Sequence, residues 1–113
     1  MSTTTRGLAA ELLVAAHYQE HGCVLHWPHG GQAPYDILVY TGVKFYKIQI
    51  KRVYRKKGRL VVNLTRPRDK RYARGDINFI VAIYPPTNEL WQIPFSAIGK
   101  RTRLSLGEKW KEA

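Results

Sequence analysis

The sequence predicts an α/β fold, in which an N-terminal helix is followed by a mixed β-sheet with flanking helices. Three observations predict it: a helix-forming segment that stops near Gly22, a β-hairpin over residues 36–51, and a strongly apolar run over residues 77–84. The chain has 113 residues, of which 44% are hydrophobic, so it can form one real core but not two. We therefore expect a single domain over residues 1–113.

The first predicted element is a helix that begins at the threonines of residues 3–5 and runs to about His21, where Gly22 ends it. A helix with apolar residues on nearly all sides is expected to be buried on more than one side. This pattern is formed by Leu8, Ala9, Ala10, Leu12, Leu13, Val14, Ala15 and Ala16.

Glu11 interrupts this apolar pattern. Helical spacing places it between Ala15 and Tyr18 and close to Leu8, on the side that is predicted to pack. A carboxylate in such a place is costly unless it is paired, bound to a metal or at the edge of a cleft. We expect Glu11 to belong to a site; the alternative is a rim position in which it meets Lys51 or an arginine.

A β-hairpin follows the helix, after a short strand over residues 23–27 and a loop over residues 28–34. Its two strands are residues 36–40 and residues 44–51, both rich in β-branched and aromatic side chains. Between them, Gly42 and the residue after it suit a two-residue type II′ turn, which takes glycine at its first central position.

The turn fixes which side chains of the hairpin share a face. With Thr41 opposite Lys44, the antiparallel count pairs Asp36 with Gln49, and directly opposed residues lie on one face of a sheet. Lys51 follows Gln49 by two residues and points the same way. A carboxylate, an amide and an ammonium group are therefore expected at one end of the hairpin, an arrangement that suits metal-assisted hydrolysis of a phosphodiester.

The second half of the chain predicts further strands separated by two basic segments. After a basic turn at residues 55–58, a third main strand is expected, and a second basic stretch forms a loop or short helix. An apolar strand, a turn, a returning strand, a short terminal helix and a polar, basic tail complete the chain. These elements are residues 59–65, 66–74, 77–84, 85–88, 90–93, 95–98 and the residues beyond 98.

Charge favours a nucleic-acid partner, because 19 Lys and Arg against 8 Asp and Glu give a net charge of +11. A ribosomal or other structural RNA-binding protein would have a similar balance, whereas no helix pairs a basic face with a bulky apolar one as a membrane-surface protein would. The basic segments flank the hairpin site, so we expect phosphate contacts there rather than ordinary solvated loops. The candidates are Arg52, Arg55, Lys56, Lys57, Arg66, Arg68, Lys70, Arg71, Tyr72 and Arg74.

Other candidate sites are weaker. The single cysteine, Cys23, can form neither an intrachain disulfide nor a thiolate cluster. His26 and His29 have a ligand-like interval but no Cys or acidic partner nearby, which makes a poor zinc site. The N-terminus shows no signal-peptide pattern, so we expect a cytoplasmic protein.

The order of these features resembles the PD-(D/E)XK nuclease superfamily. A helix that carries Glu11 precedes Asp36 and the Gln49–Lys51 strand end, and a basic region with Tyr72 and a later Trp-Gln-Ile-Pro run at residues 91–94 follow. Within the superfamily the chain is similar to the branch associated with group I introns, whose activity is homing endonuclease cleavage. The resemblance spans roughly residues 6–98.

The chain departs from the superfamily pattern at two positions. Pro34 is separated from Asp36 by Tyr35, and Gln49 stands where most members have Asp or Glu. The intron-associated branch resembles this chain in using Gln. The change removes one anionic ligand and leaves Glu11 and Asp36 as the nearby carboxylates.

The resemblance implies a restriction-endonuclease-like core and a Mg²⁺ cofactor. Asp36 would be the central metal ligand, with Glu11 as a second ligand, and the Ile50 carbonyl would complete the protein ligation. Gln49 would bind the metal through its side-chain oxygen or hold the attacking water. Lys51 would position that water and stabilise charge in the transition state.

These features together predict a divalent-metal-dependent DNA endonuclease, in particular a homing endonuclease that makes a site-specific double-strand break in DNA. One alternative is a structure-specific nuclease such as a Holliday junction resolvase. Another is a protein that binds nucleic acid without cutting it. One catalytic site cuts one strand at a time, so double-strand cleavage implies a homo-oligomer, either a dimer or, like a member of the intron-associated branch, a tetramer.

Overall fold

The structure is a computed structural model that describes residues 3–29, 33–66, 68 and 70–112, without the side chains of residues 3 and 4. The α/β class predicted from the sequence is confirmed. The elements in chain order are α1 (Thr3–Glu20), β1 (Val24–His26), β2 (Ile37–Tyr40), β3 (Phe45–Arg52), β4 (Tyr54–Lys56), β5 (Arg59–Asn63), β6 (Phe79–Tyr84), β7 (Glu89–Pro94), α2 (Phe95–Ile98) and β8 (Arg103–Ser105).

The main sheet has five strands in the order β1-β2-β3-β6-β7. Strands β3 and β6 are parallel, and every other neighbouring pair is antiparallel. Ile37 pairs with Ile48 across β2 and β3, which is the register predicted from the hairpin turn. Gly42 in that turn has a φ of 98°, a conformation that favours glycine. The predicted loop at residues 28–34 lies partly outside the described residues.

The main sheet separates two apolar cores, because strand side chains alternate between its faces. Helix α1 covers one face, where Ala10 and Val14 pack against Ile37 and Ile48. The other face packs against a second sheet and α2, in a cluster that includes Val62, Leu64, Ile80, Trp91 and Ile98. Strand β6 is buried on both faces, which explains its unbroken apolar sequence.

The third main strand predicted over residues 59–65 is present as β5, but it does not join the main sheet. Strand β5 lies in a separate three-stranded sheet with the order β4-β5-β8. Lys57 and Gly58 both have positive φ values, of 50° and 78°, so the chain reverses tightly and Tyr54–Lys56 pairs with β5. The basic turn predicted at residues 55–58 is therefore shorter than expected: Lys57 and Gly58 form the turn, and the two residues before them belong to β4.

The expectation of a polar, basic tail is also wrong in part. Strand β8 pairs with β5, and Leu104, Leu106 and Trp110 pack against the second core. The indole Nε1 of Trp91 donates to the Gly107 carbonyl oxygen at 2.7 Å. The tail residues thus complete the second sheet and cover one end of the main sheet.

Helix α1 is buried on one side only, contrary to the prediction. Ala10, Val14 and Ala15 are buried, whereas Leu8 and Leu12 are 53% and 56% exposed. Among the described elements the helix packs mainly against β1, β3 and β6 of the main sheet, so an apolar pattern on all sides exceeds what this packing covers. In the part of the chain that the structure describes, neither helix is long and apolar enough to cross a membrane.

Candidate active site

Asp36 lies immediately before β2, where the hairpin ends. Its backbone N–H donates to the Ile48 carbonyl oxygen at 2.8 Å. Its side-chain Oδ2 accepts two hydrogen bonds of 2.8 Å, one from the Ile50 N–H and one from Gln49 Nε2. Strand β2 starts at Ile37, so it offers no backbone carbonyl to the Ile50 N–H. The Asp36 carboxylate accepts that hydrogen bond instead. Asp36 is therefore held by both backbone and side chain.

Gln49 lies opposite Asp36, as the extended register of β2 and β3 requires. Its amide nitrogen donates to Asp36, so its Oε1 is the atom that remains to accept a hydrogen bond or to bind a cation. Gln49 thus adds a neutral donor beside the carboxylate where an acidic residue would add a second charge.

Glu11 approaches the same carboxylate from α1. Burial, the charge of Asp36 and a side-chain hydrogen bond with Asp36 together raise the pKa of Glu11 from 4.5 to about 7. Burial also raises the pKa of Asp36, against the opposing effects of the Ile50 N–H, Glu11 and Lys51. Both raised pKa values mean that the two carboxyls resist being ionised together, and a bound cation would favour their ionised forms.

Lys51 completes the cluster on the face of β3 that Gln49 shares. Its Nζ donates to the Thr65 carbonyl oxygen at 2.6 Å and lies 5.9 Å from the centroid of the Tyr72 ring. Burial lowers the pKa of Lys51, and the nearby charge of Asp36 opposes this effect. The structure thus brings Glu11, Asp36, Gln49 and Lys51 together at one end of the hairpin.

The Ile50 carbonyl faces the same place. The Ile50 N–H points past the end of β2 toward Asp36, and in a β-strand the C=O of a residue points to the same side as its N–H. Its side chain points away and is buried in the core under α1. The Ile50 carbonyl therefore lies on the side of β3 that faces Asp36.

The donor set fits Mg²⁺ on chemical grounds. Among the described residues, no three His, Cys, Asp or Glu side chains gather in one place, so a zinc-type cluster is absent there. The available atoms are instead the carboxylates of Glu11 and Asp36, the Ile50 carbonyl and Gln49 Oε1. All are oxygens, which Mg²⁺ prefers, and two carboxylates are enough for an ion that keeps several of its waters.

Eight of the predicted phosphate-binding residues lie in two segments, one formed by β4 and its turn and the other between β5 and β6. All are exposed except Arg66, which is half-buried. The eight residues are Arg55, Lys56, Lys57, Arg66, Arg68, Lys70, Arg71 and Arg74.

Two of the predicted phosphate contacts lie elsewhere. Tyr72 is only 8% exposed and packs in the second core beside Lys51, because its ring is apolar enough to be buried. Arg52 alternates with Lys51 along β3, so it points to the opposite face and donates to the Arg6 carbonyl oxygen of α1. Neither belongs to the exposed basic surface.

Two features could not be predicted from the sequence: the contact of Thr65 with Lys51 and the strand that contains Arg103. Thr65 acts through its backbone carbonyl, which leaves no signal in the side chain. Arg103 lies in β8, and the polar-apolar-polar pattern of Arg103–Ser105 is the one local signal that would have indicated a strand.

Comparison with known proteins agrees with this geometry. The sequence profile of a family described as PD-(D/E)XK endonuclease matches residues 1–112. The chain belongs to the PD-(D/E)XK endonuclease family. The resemblance seen in the sequence is confirmed, and so is the predicted function, DNA endonuclease, at the level of this family.

A solved structure of a bacterial homing endonuclease, I-Ssp6803I, has the same fold. The TM-score is 0.83 at 23% sequence identity, over 96% of this chain and 80% of the other. The expected restriction-endonuclease-like core is thereby confirmed. No curated protein sequence matches the chain.

One of the two departures from the PD-(D/E)XK motif lies within this cluster of side chains. The family name calls for Asp or Glu two residues before the lysine, and here Gln49 occupies that position. Its hydrogen bond to Asp36 shows what the amide does instead: it orients the carboxylate that the family motif places before the hairpin.

Proposed function

We propose that this PD-(D/E)XK endonuclease uses Mg²⁺ to hydrolyse double-stranded DNA at a specific site, as a homing endonuclease does. The observation that carries the proposal is the position of Asp36, which contacts Glu11 and Gln49 and lies within electrostatic range of Lys51. Carboxylate, amide and ammonium groups gathered on a basic protein suit a phosphodiester substrate.

Asp36 and Glu11 would hold the metal, together with the Ile50 carbonyl. When bound, Mg²⁺ would lower the pKa of a ligated water and neutralise charge on the phosphate. Both carboxyls must be ionised to serve as ligands, since protonated carboxyls are poor ones, and the raised pKa of Glu11 opposes this in the metal-free protein. Gln49 keeps Asp36 oriented, and its Oε1 is positioned to bind a water or the metal.

Lys51 would contribute positive charge at the reacting phosphate. Its ammonium is half-buried and fixed by the Thr65 carbonyl, so little reorganisation is needed when negative charge develops in the transition state. Burial lowers the pKa of Lys51, which also makes proton exchange with the attacking water easier.

The homing activity and the assembly are further parts of the proposal. I-Ssp6803I, described as a bacterial homing endonuclease, shares the fold over nearly the whole of this chain. One cluster of Asp36 and Lys51 serves one DNA strand, so a double-strand break needs two copies of the chain. We therefore propose a homo-oligomer, a dimer or a tetramer.

A selection experiment tests this function. The protein is incubated with Mg²⁺ and a plasmid library that carries a randomised insert, and linear products are sequenced; a synthetic four-way junction is included as a competing substrate. Enrichment of one insert sequence among linear products supports homing cleavage. Preferential cutting of the junction would favour a resolvase, and DNA binding without any cutting would contradict the endonuclease.

A further inference from the structure

The second sheet has an outer face that carries positive charge. Strand register places Lys56 opposite Arg59, and Asn63 opposite Arg103, while Val61 lies between Tyr54 and Ser105. Directly opposed residues share a face, so these side chains form one surface. The alternate residues, Leu60, Val62 and Leu104, point inward to the second core.

Two open cavities lie along this surface. One of about 530 Å³ is lined by Lys56, Lys57, Arg59 and Arg103 among others. The other, of about 470 Å³, is lined by Arg71, Asn63 and Thr65 and again by Arg103. Arg103 thus lines both cavities, which together we call the basic trough. Among the described residues that line it there is no Asp or Glu.

The basic trough leads to the candidate active site. Thr65 lies at its end, and the carbonyl oxygen of Thr65 accepts the hydrogen bond from Lys51. The cations of β4 and β8 lie two strand spacings apart, roughly 10 Å, which suits successive charges of a polyanion rather than one phosphate group.

We propose that the basic trough binds the phosphate backbone of the DNA duplex next to the cleaved bond, with Arg103 as its central contact. The inference rests on the proposed function and adds Arg59 and Arg103, whereas Arg71 of the basic segment at residues 66–74 also lines the trough. A DNA strand that follows the trough from Arg59 past Arg103 to Thr65 reaches Lys51. Along this path it meets no Asp or Glu among the described residues that line the trough.

The test is the salt dependence of binding. The probe is a fluorescein-labelled duplex of mixed sequence, measured by anisotropy with EDTA present so that no cleavage occurs. Loss of one phosphate contact lowers the slope of log affinity against log salt by about 0.9, which corresponds to roughly fivefold weaker binding at 0.15 M salt. We expect this decrease in slope and affinity for Arg103→Ala and for Arg59→Ala. The decrease in affinity should be larger for the variant with both substitutions and still larger for Arg103→Glu.

Lys44→Ala is the matched control. Lys44 is exposed at the turn of the β2–β3 hairpin, at the opposite end from Asp36, and its replacement removes the same charge. An unchanged slope for Arg103→Ala, or an equal loss for Lys44→Ala, would overturn the trough while leaving the endonuclease untouched. Failure of the wild-type protein to bind any duplex would overturn both. Far-ultraviolet circular dichroism of each variant shows whether it is folded. If Arg103→Ala is not folded, Arg59→Ala serves as the test variant in its place.

Discussion

Gln49 donates a hydrogen bond of 2.8 Å from its side-chain amide to Oδ2 of Asp36, the same oxygen that accepts the Ile50 N–H. Gln49 occupies the position at which the family motif has Asp or Glu. A neutral donor there fixes Asp36 without adding a charge to the Glu11–Asp36 pair, in which burial and the charge of Asp36 already raise the pKa of Glu11.

Replacing Gln49 should therefore slow cleavage without weakening DNA binding. Loss of a partner that orients a metal ligand typically costs about 10- to 100-fold in activity or metal affinity, and we expect Gln49→Ala to fall in that range. Gln19→Ala, on the exposed side of α1, is the control and should cleave like wild type. Equal rates for both variants would show that the hydrogen bond to Asp36 has no catalytic role.

Glu11 should make the metal-free protein less stable at alkaline pH. Because the pKa of Glu11 is raised from 4.5 to about 7 in the folded state, its stabilising contribution is full below about 4.5 and is lost as pH rises through about 7. Glu11→Gln has no titrating group at this position. Its free energy of unfolding relative to wild type should therefore rise as the pH increases from about 4.5 to about 7. Urea unfolding in EDTA at several pH values measures this, and parallel pH curves for the two proteins would contradict it.

Lys51 should matter to the chemistry and not to binding. Removal of one fixed group that stabilises a developing charge costs about 10²- to 10³-fold in rate, which we expect for Lys51→Ala at nearly unchanged DNA affinity. Lys47→Ala is a matched control, since Lys47 lies on the same strand and the same face but donates to the Gly75 carbonyl. Cleavage rates under single-turnover conditions decide the point. A Lys51→Ala enzyme as fast as Lys47→Ala would exclude the proposed role.

The C-terminal residues should contribute measurably to stability. Trp91→Phe keeps most of the buried ring but leaves the Gly107 carbonyl without its donor, at a cost of about 1–2 kcal/mol in the free energy of unfolding. Trp27→Phe, at a side chain that is 50% exposed, should change it by less than about 0.5 kcal/mol. Urea unfolding compares the two. Equal effects would mean that the tail is not docked against Trp91 in solution.

Local rules predicted the hairpin end of the site. The turn at Gly42 and the two-residue period of a strand fix which side chains share a face, so Asp36, Gln49 and Lys51 could be placed together from the sequence. The apolar run over residues 77–84 likewise predicted a strand, which is β6.

Long-range pairing could not be predicted in the same way. Whether β5 joins the main sheet or a second one depends on β8, a three-residue strand about forty positions later in the chain. The exposure of Leu8 and Leu12 depends on how many elements cover α1, and the burial of Tyr72 depends on the second core. None of these is set by the residues nearby in sequence.

The most direct test of the central claim is Mg²⁺-dependent cleavage of a selected target plasmid by the wild-type protein and by Asp36→Asn, at protein concentrations that give equal DNA occupancy. We predict linear product from the wild type, none when EDTA is present, and none from Asp36→Asn. Cleavage by Asp36→Asn at the wild-type rate would contradict the account, because the carboxylate that contacts Glu11 and Gln49 would then take no part in the reaction.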